Sequence, residues 1–250
     1  MYAGLDIGSR TIGLVLFDGR VTHSAVVDTG VRPLDRCREL LAGREYSCLV
    51  VTGYGRHLAA AALGTDAVSE ISAHAAGARH LFADCGTLID IGGQDSKAIL
   101  LDGNGGVLKF EMNDRCAAGT GKFLEVMAHT LEVDIDGLGG FALKADKAVH
   151  INSLCTVFAE SEVVSLIAKG EDAGAIALGL HQAIATRVVS MVRRVGVKNR
   201  VIFTGGAAHN KCLQELFSRR LEADITVPAE PQLVGALGAA LIAKQAKKKC

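Results

Sequence analysis

Apolar positions along this chain fall into two successive patterns that begin alike. Residues 2–7, 11–17 and 21–28 are short runs rich in apolar and β-branched side chains, joined by Gly8-Ser9-Arg10 and Asp18-Gly19-Arg20. They predict strands linked by hairpins. Helical spacing follows at 34–41, a buried-strand run at 48–52, an alanine-rich helix at 58–63, a short strand at 67–69 and a helix at 71–82. The pattern then starts again. Residues 86–91, 96–101 and 107–111 predict a second meander with glycine-bearing turns, and helices follow at 117–131, 156–168 and 173–195. One more strand at 201–204 leads through Gly205-Gly206 into a helix, and an alanine-rich helix at 234–247 closes the chain.

Two units that each open with a meander and continue into helices and further strands imply a duplicated α/β architecture. The expected boundaries put lobe I at 1–70 plus 229–250 and lobe II at 71–228, with no low-complexity linker between them. Composition narrows the class. Of the 250 residues 49% are hydrophobic, enough for a sizeable core, yet no uninterrupted apolar run reaches the roughly 18–20 residues of a spanning helix. Asp6 and Arg10 break the N-terminal apolar stretch before a signal-peptide core forms, so a cytoplasmic protein is expected. Lys plus Arg (27) balance Asp plus Glu (27), which gives no electrostatic case for nucleic acid or an anionic membrane. The seven cysteines are odd in number, and a core of this size needs no disulfide staples, so free thiols are expected.

Candidate chemistry begins at the first turn of each meander, Asp6-Ile7-Gly8-Ser9 and Asp90-Ile91-Gly92-Gly93-Gln94-Asp95. A carboxylate at a strand end can hold hydrated Mg²⁺, and a following glycine lets backbone N–H groups reach phosphate oxygens. Ser9 adds a hydroxyl donor. One such turn is ordinary hairpin chemistry; two at equivalent places point to a polyphosphate. A third segment, Phe203-Thr204-Gly205-Gly206-Ala207-Ala208-His209-Asn210, leaves a buried strand through paired glycines, where an adenine ring can lie against backbone. A strand-to-helix turn requiring positive φ accounts for those glycines equally. No Walker-type or dinucleotide-binding glycine motif is found.

Together these loops resemble the ATPase superfamily of actin, sugar kinases and heat-shock chaperones. The resemblance implies two related lobes with ATP or ADP and Mg²⁺ in the cleft between them. Glu70 in Ser69-Glu70-Ile71-Ser72 looks like the acidic residue that opens the crossing helix of chaperone members, which would place it near the γ-phosphate. An acid capping a helix start is the plainer reading.

Two further segments set this chain apart within that superfamily. Asn113-Asp114-Arg115-Cys116-Ala117-Ala118-Gly119-Thr120-Gly121-Lys122 and Asn152-Ser153-Leu154-Cys155-Thr156-Val157-Phe158-Ala159-Glu160 each put capping residues before a cysteine, with a helical pattern directly after. A thiol at the positive end of a helix is expected to favour its thiolate. Such a pair suits disulfide exchange, part of a zinc site, half of a cluster site, or two buried structural cysteines. Cys37, Cys48, Cys85, Cys212 and Cys250 lie in less favourable contexts, so a cluster needing four ligands calls for a two-fold dimer.

With Asp90-Ile91-Gly92-Gly93-Gln94-Asp95-Ser96-Lys97 and Thr52-Gly53-Tyr54-Gly55-Arg56 added, the whole chain resembles the activator components of 2-hydroxyacyl-CoA dehydratases, a family that includes ATPase subunits of benzoyl-CoA reductases. The resemblance implies a homodimer with one [4Fe–4S] cluster held by Cys116 and Cys155 of each subunit. It further implies ATP-driven one-electron transfer. Reduced ferredoxin or flavodoxin would load the cluster, nucleotide would change the angle between lobes, and a dehydratase or reductase would receive the electron. In that scheme Asp6 and Asp90 hold hydrated Mg²⁺, and Gln94 orients the attacking water. Gly8, Ser9, Gly92, Gly93, Gly205, Gly206 and Ala207 contact the nucleotide. Many relatives carry a lysine where this chain has Gly13, which leaves Arg10 or Lys97 to cover phosphate charge. A small-molecule kinase of the same fold, and an ATP-gated redox-sensing regulator, are the rival readings.

Overall fold

The computed structural model describes residues 1–152 and 155–247, so Ser153, expected as a cap, and Cys250 lie outside the described residues. The chain divides into two compact units. Unit 1 comprises Met1–Gly86, Leu101–Leu108 and the segment from Pro228 onward; unit 2 comprises Thr87–Leu100 and Lys109–Val227.

In the first sheet β1 (Tyr2–Ile7), β2 (Thr11–Phe17) and β3 (Val21–Asp28) form the predicted meander, and β4 (Cys48–Thr52) and β5 (Asp66–Ala67) extend it in the order β3-β2-β1-β4-β5. β1 pairs antiparallel with β2 and parallel with β4, which centres Asp6 at the carboxyl end of the middle strand. Alternation along β2 sends Ile12, Leu14 and Leu16 into a core with α1 (Pro33–Leu41) and α2 (Arg56–Leu63), where Leu40, Leu41 and Ala59 join them. Val15 and Phe17 face the other way, onto Leu233, Ala236, Leu237 and Ala240 at and within α9 (Val234–Lys247).

The helix α3 (Glu70–Leu81) packs on α9 within unit 1, whereas the lobe boundary is expected at residue 70 from the sequence. The cause is close backbone approach: a Cβ at Gly238 would overlap the Ala73 carbonyl, and one at Gly77 the Val234 carbonyl.

The second sheet repeats the first. β6 (Cys85–Ile91), β7 (Ser96–Leu101), β8 (Val107–Asn113), β9 (Arg200–Thr204) and β10 (Ile225–Thr226) stand in the order β10-β9-β6-β7-β8. Mapping β6 onto β1 reproduces the first sheet strand for strand. β6 and β7 are buried along their whole lengths, and their apolar runs are broken only by polar residues that are themselves buried: Thr87, Asp90, Ser96 and Lys97. One core gathers Ile89, Ile91, Ala98 and Leu100 with α4 (Gly121–Thr130), α5 (Ile135–Ala142), α6 (Thr156–Ala168), α7 (Ala173–Val195) and α8 (Lys211–Leu221).

Two helices depart most from the sequence expectation. α4 begins at Gly121 and not at residue 117, because Thr120 donates to the Ala117 carbonyl and Gly119 takes φ +88°, which closes a turn before the helix. α5 was not anticipated, since its glycines hide the helical period. α7 is long and apolar enough by length and composition to cross a membrane; 67% of that stretch is buried inside the protein, as a core helix would be.

Candidate functional site

In unit 1 the candidate loop is built around a carboxylate in a narrow crevice. Asp6 is 16% exposed, and His74 Nε2, from α3, lies 3.7 Å from its Oδ2. Gly53, at φ +93°, presses against Asp6 Oδ1 and the Ile7 carbonyl, and Gly235 in the first turn of α9 fills the side by Oδ2, so no Cβ fits at either place. The turn itself is braced: Gly8 N–H donates to the Thr11 carbonyl (3.0 Å) and the Thr29 hydroxyl to the Gly8 carbonyl (2.8 Å). Ser9 is partly exposed and Arg10 exposed at its tip.

Glu70 opens α3 as expected, with Ser69 as the cap: its hydroxyl accepts from Ser72 N–H at 3.1 Å. One helical turn separates Glu70 from His74, so both lie on one face of α3. Arg56 holds Glu70 at 3.4 Å and also donates to the Gly53 carbonyl at 2.9 Å, tying the acid to the glycine that covers Asp6.

The unit 2 loop has the same backbone plan and different charged neighbours. Asp90 is 2% exposed, with Lys97 Nζ 3.3 Å from Oδ2 and the Thr204 hydroxyl donating to Oδ1 at 2.9 Å. Lys97, 1% exposed, also reaches Asp95 at 2.7 Å. Gly205, at φ +85°, lies on the Ile91 carbonyl and Asp90 Oδ1, the counterpart of Gly53 in unit 1. Gly206–His209 is a short 3-10 turn, with Gly206 exposed and Ala207 buried, and Asn210 then caps α8 by accepting from Leu213 N–H. Gln94 is exposed beside Gly92 and Gly93. The carbonyls of those two glycines accept N–H bonds from Gly121 and Lys122, each at 2.8 Å. The first turn of α4 is therefore bonded directly to the loop.

The cysteines divide by environment. Burial pushes the Cys37 thiol up to about 11 and the Cys212 thiol up to about 12, with Glu215 adding to the rise at Cys212. Neither suits a thiolate ligand at neutral pH. Cys155 is exposed and is itself the N-cap residue of α6, and Cys116 is half-buried. The expectation that both thiols start helices holds for Cys155 alone. Cys116 sits in the turn five residues before α4, because Asn113 ends β8 and its side chain donates to the Cys116 (2.8 Å) and Ala118 (3.0 Å) carbonyls, shaping a loop and not a helix cap. Asn152 likewise does not cap α6; its backbone and side-chain N–H groups both donate to Glu162. Among the described residues no three His, Cys, Asp or Glu gather as a metal site.

A sequence profile of the BadF/BadG/BcrA/BcrD ATPase family matches residues 3–243. The chain belongs to that family. It is 43% identical over 96% of its length to the 2-hydroxyisocaproyl-CoA dehydratase activator of Clostridioides difficile, of which it covers 93%. Two solved structures superpose closely. Component A of (R)-2-hydroxyglutaryl-CoA dehydratase from Acidaminococcus fermentans gives a TM-score of 0.92 at 38% identity, with 99% of this chain and 98% of that one covered. The activator of the 2-hydroxyisocaproyl-CoA dehydratase from Clostridium difficile, solved with ADPNP bound, gives 0.88 at 40% identity, covering 100% and 98%. A ROK-family glucokinase from Streptomyces griseus shares the fold at a TM-score of 0.63 and 13% identity. The expected α/β fold class, with two related halves and a fold shared with a sugar kinase, is thereby established.

Within each unit the structure brings together most of what the sequence singled out: Asp90, Gly92, Gly93, Lys97 and Gly205 in unit 2, and Asp6, Gly8 and Ser9 in unit 1. It adds His74 and Gly53, which the sequence reading passed over as site residues. A signal for Gly53 was present, since Thr52-Gly53 and Thr204-Gly205 are the same dipeptide at the end of equivalent strands. His74 had none, because its proximity to Asp6 depends on how α3 packs. Gly13 faces Leu233 and Ala236, where an added Cβ would stand 3.3 Å from Leu233 Cδ2, so this strand position is filled by close packing and not by a cation.

Proposed function

We propose that this chain is an ATP-driven electron-transfer activator of a 2-hydroxyacyl-CoA dehydratase or a related reductase, working as a homodimer with one shared [4Fe–4S] cluster. The observation that carries the reading is the pair of bonds from Gly121 and Lys122 N–H to the Gly92 and Gly93 carbonyls. The loop expected to meet phosphate and the helix that follows Cys116 are one hydrogen-bonded piece, so a shift in the loop is passed to the segment carrying the thiol. A nucleotide that binds one arrangement of this piece better than another biases it without further machinery.

The thiols fit a cluster shared between chains. Cys116 and Cys155 are accessible, while the described residues offer no third and fourth ligand within one subunit. Four cysteines from two subunits meet the requirement of such a cluster. Val157, Phe158, Val164 and Ile167 are exposed on α6, the helix that Cys155 opens, and a second copy would cover that apolar surface. The cluster would supply a one-electron store whose potential depends on burial and on hydrogen bonds to sulfur.

For nucleotide, Asp6 is the partly open carboxylate suited to hydrated Mg²⁺. Asp90, with both oxygens engaged, fits the task of fixing Lys97 beneath the second loop. Gly8, Ser9, Arg10, Gly92 and Gly93 would meet phosphate, and Gly205, Gly206 and Ala207 the adenosine. Gln94 is exposed and free to orient water, and Glu70 would assist from the start of α3. The donor would be a reduced ferredoxin or flavodoxin, and the compartment a reducing cytoplasm, in keeping with the free thiols.

Anaerobic purification followed by iron and acid-labile sulfide analysis tests the reading. The expected result is about one four-iron cluster per dimer. Cys116→Ser and Cys155→Ser should each lose the cluster and keep ADP binding. A cluster that survives in either variant removes that residue from the ligand set, and a colourless zinc dimer would replace the activator by a redox sensor.

A further inference from the structure

A cavity of about 660 Å³ in unit 2 lies along one face of α7, between Met112-Asn113 at the end of β8 and the segment of residues 149–152. It shares no residue with either phosphate loop. Arg187 and Arg194 from α7 and Arg220 from α8 line it, and no lining residue is acidic. Arg194 is neutralised in part by Glu111 at 3.2 Å. The other two guanidiniums have only neutral oxygens as partners among the described residues. Arg187 donates to Asn113 Oδ1 at 3.0 Å, and Arg220 to the Gln182 carbonyl at 3.2 Å and to the Thr186 hydroxyl.

A cation held without a counter-charge in a half-buried cavity is costly, and a buried N–H without an acceptor adds to that cost. Both conditions are met here. Arg187 Nε is buried with no acceptor. Burial, and then the neighbouring Arg193, disfavour the charge on Arg220. An oxyanion would supply the missing counter-charge, because a guanidinium fork matches a carboxylate or phosphate edge. The remaining wall is apolar at Met112, Val149 and Met191, which suits a small organic body behind a charged head.

We propose that this cavity is a binding site for a small organic oxyanion whose head group is gripped by Arg187 and Arg220. The site stands apart from the nucleotide reading and does not depend on it. Arg187 also holds Asn113, which shapes the turn bearing Cys116, so an occupant would share a wall with that turn.

The test is calorimetric titration of the full-length protein with inorganic phosphate and, separately, with citrate. ADP and Mg²⁺ are present throughout so that any nucleotide site is already filled. Saturable binding of at least one probe is expected, weakened roughly 10- to 100-fold by Arg220→Gln and by Arg187→Gln, since each removes a charge-assisted hydrogen bond. Binding of phosphate alone assigns a phosphoryl head, and of citrate alone a carboxylate. Should Arg220→Gln lower the melting temperature, Arg220→Lys keeps the charge without the fork and should still weaken binding. No saturable binding of either probe to the wild type, or equal binding in wild type and all three variants, overturns the site.

Discussion

The two loops at Asp6 and Asp90 occupy equivalent places in two sheets of identical strand order, yet their aspartates have different charged neighbours. In each, a positive-φ glycine just past the end of a neighbouring strand seals the aspartate and the carbonyl after it: Gly53 over Asp6 and Ile7, Gly205 over Asp90 and Ile91. Beyond that shared backbone they part. Asp6 is partly open and meets a histidine at a long 3.7 Å, whereas Asp90 is closed and bound to a buried lysine and a threonine. Duplication preserved the turn, because the turn is a backbone solution that one glycine secures. The surroundings were free to diverge, because one side-chain exchange beside an aspartate changes it from a partly exposed carboxylate into a buried counter-ion.

The sharpest way to break this comparison is to neutralise each aspartate in turn. Asp90→Asn takes a carboxylate away from the buried Lys97 and should cost about 3 kcal/mol of stability, read in denaturant melts. Asp6→Asn should leave the melting midpoint nearly unchanged and cut ATP turnover by roughly 100-fold or more. Equal losses of stability in the two variants would make the loops alike after all. The double change Asp90→Asn with Lys97→Met should recover much of the lost stability, since it removes the stranded cation along with its partner; no recovery would assign the loss to Thr204 instead.

Next in size come the two sealing glycines. Gly53→Ala and Gly205→Ala each force a Cβ onto a carbonyl at positive φ and should each destabilise by about 1–3 kcal/mol. They test the shared half of the comparison: a tolerated alanine at one position only would show that the backbone plan is not common to both units. The smallest effect is acid sensitivity confined to unit 2. Burial lowers the His181 pKa below its ordinary 6.5, outweighing the Ala177 carbonyl and Asn210, which favour the proton. The native state therefore holds His181 neutral while the unfolded chain takes a proton below that value. Its contribution is intact above pH 6.5 and is lost as pH falls below it. Thermal melts at stepped pH should show that loss, and His181→Gln should flatten it.

Strand and helix positions were legible where the period was strong and the element simple. The meanders of both units and the helices at 156–168, 173–195 and 234–247 follow directly from apolar spacing, and each is found where the spacing put it. Elements rich in glycine were not legible, α5 above all, since glycine supplies no side chain to mark a face. The turn before α4 differs for a related reason: Cys116-Ala117-Ala118 has helix-forming composition, and the Asn113 side chain, reaching forward to two carbonyls, acts with the turn closed at Gly119 and Thr120 to keep the helix from starting there.

By itself the sequence determined the identity of the chemistry: two aspartate–glycine turns, a paired-glycine exit from a strand, and two cysteines flanked by residues of the same type. These are local signals, because a turn or a cap needs particular residues at particular spacings. Tertiary structure alone decided which carboxylate stays partly exposed, which lysine becomes a buried counter-ion, that His74 stands by Asp6, and that three arginines share a cavity lined by no acid. Those outcomes depend on burial and on contacts between residues far apart in the chain, and charge behaves according to such surroundings and not according to sequence neighbours.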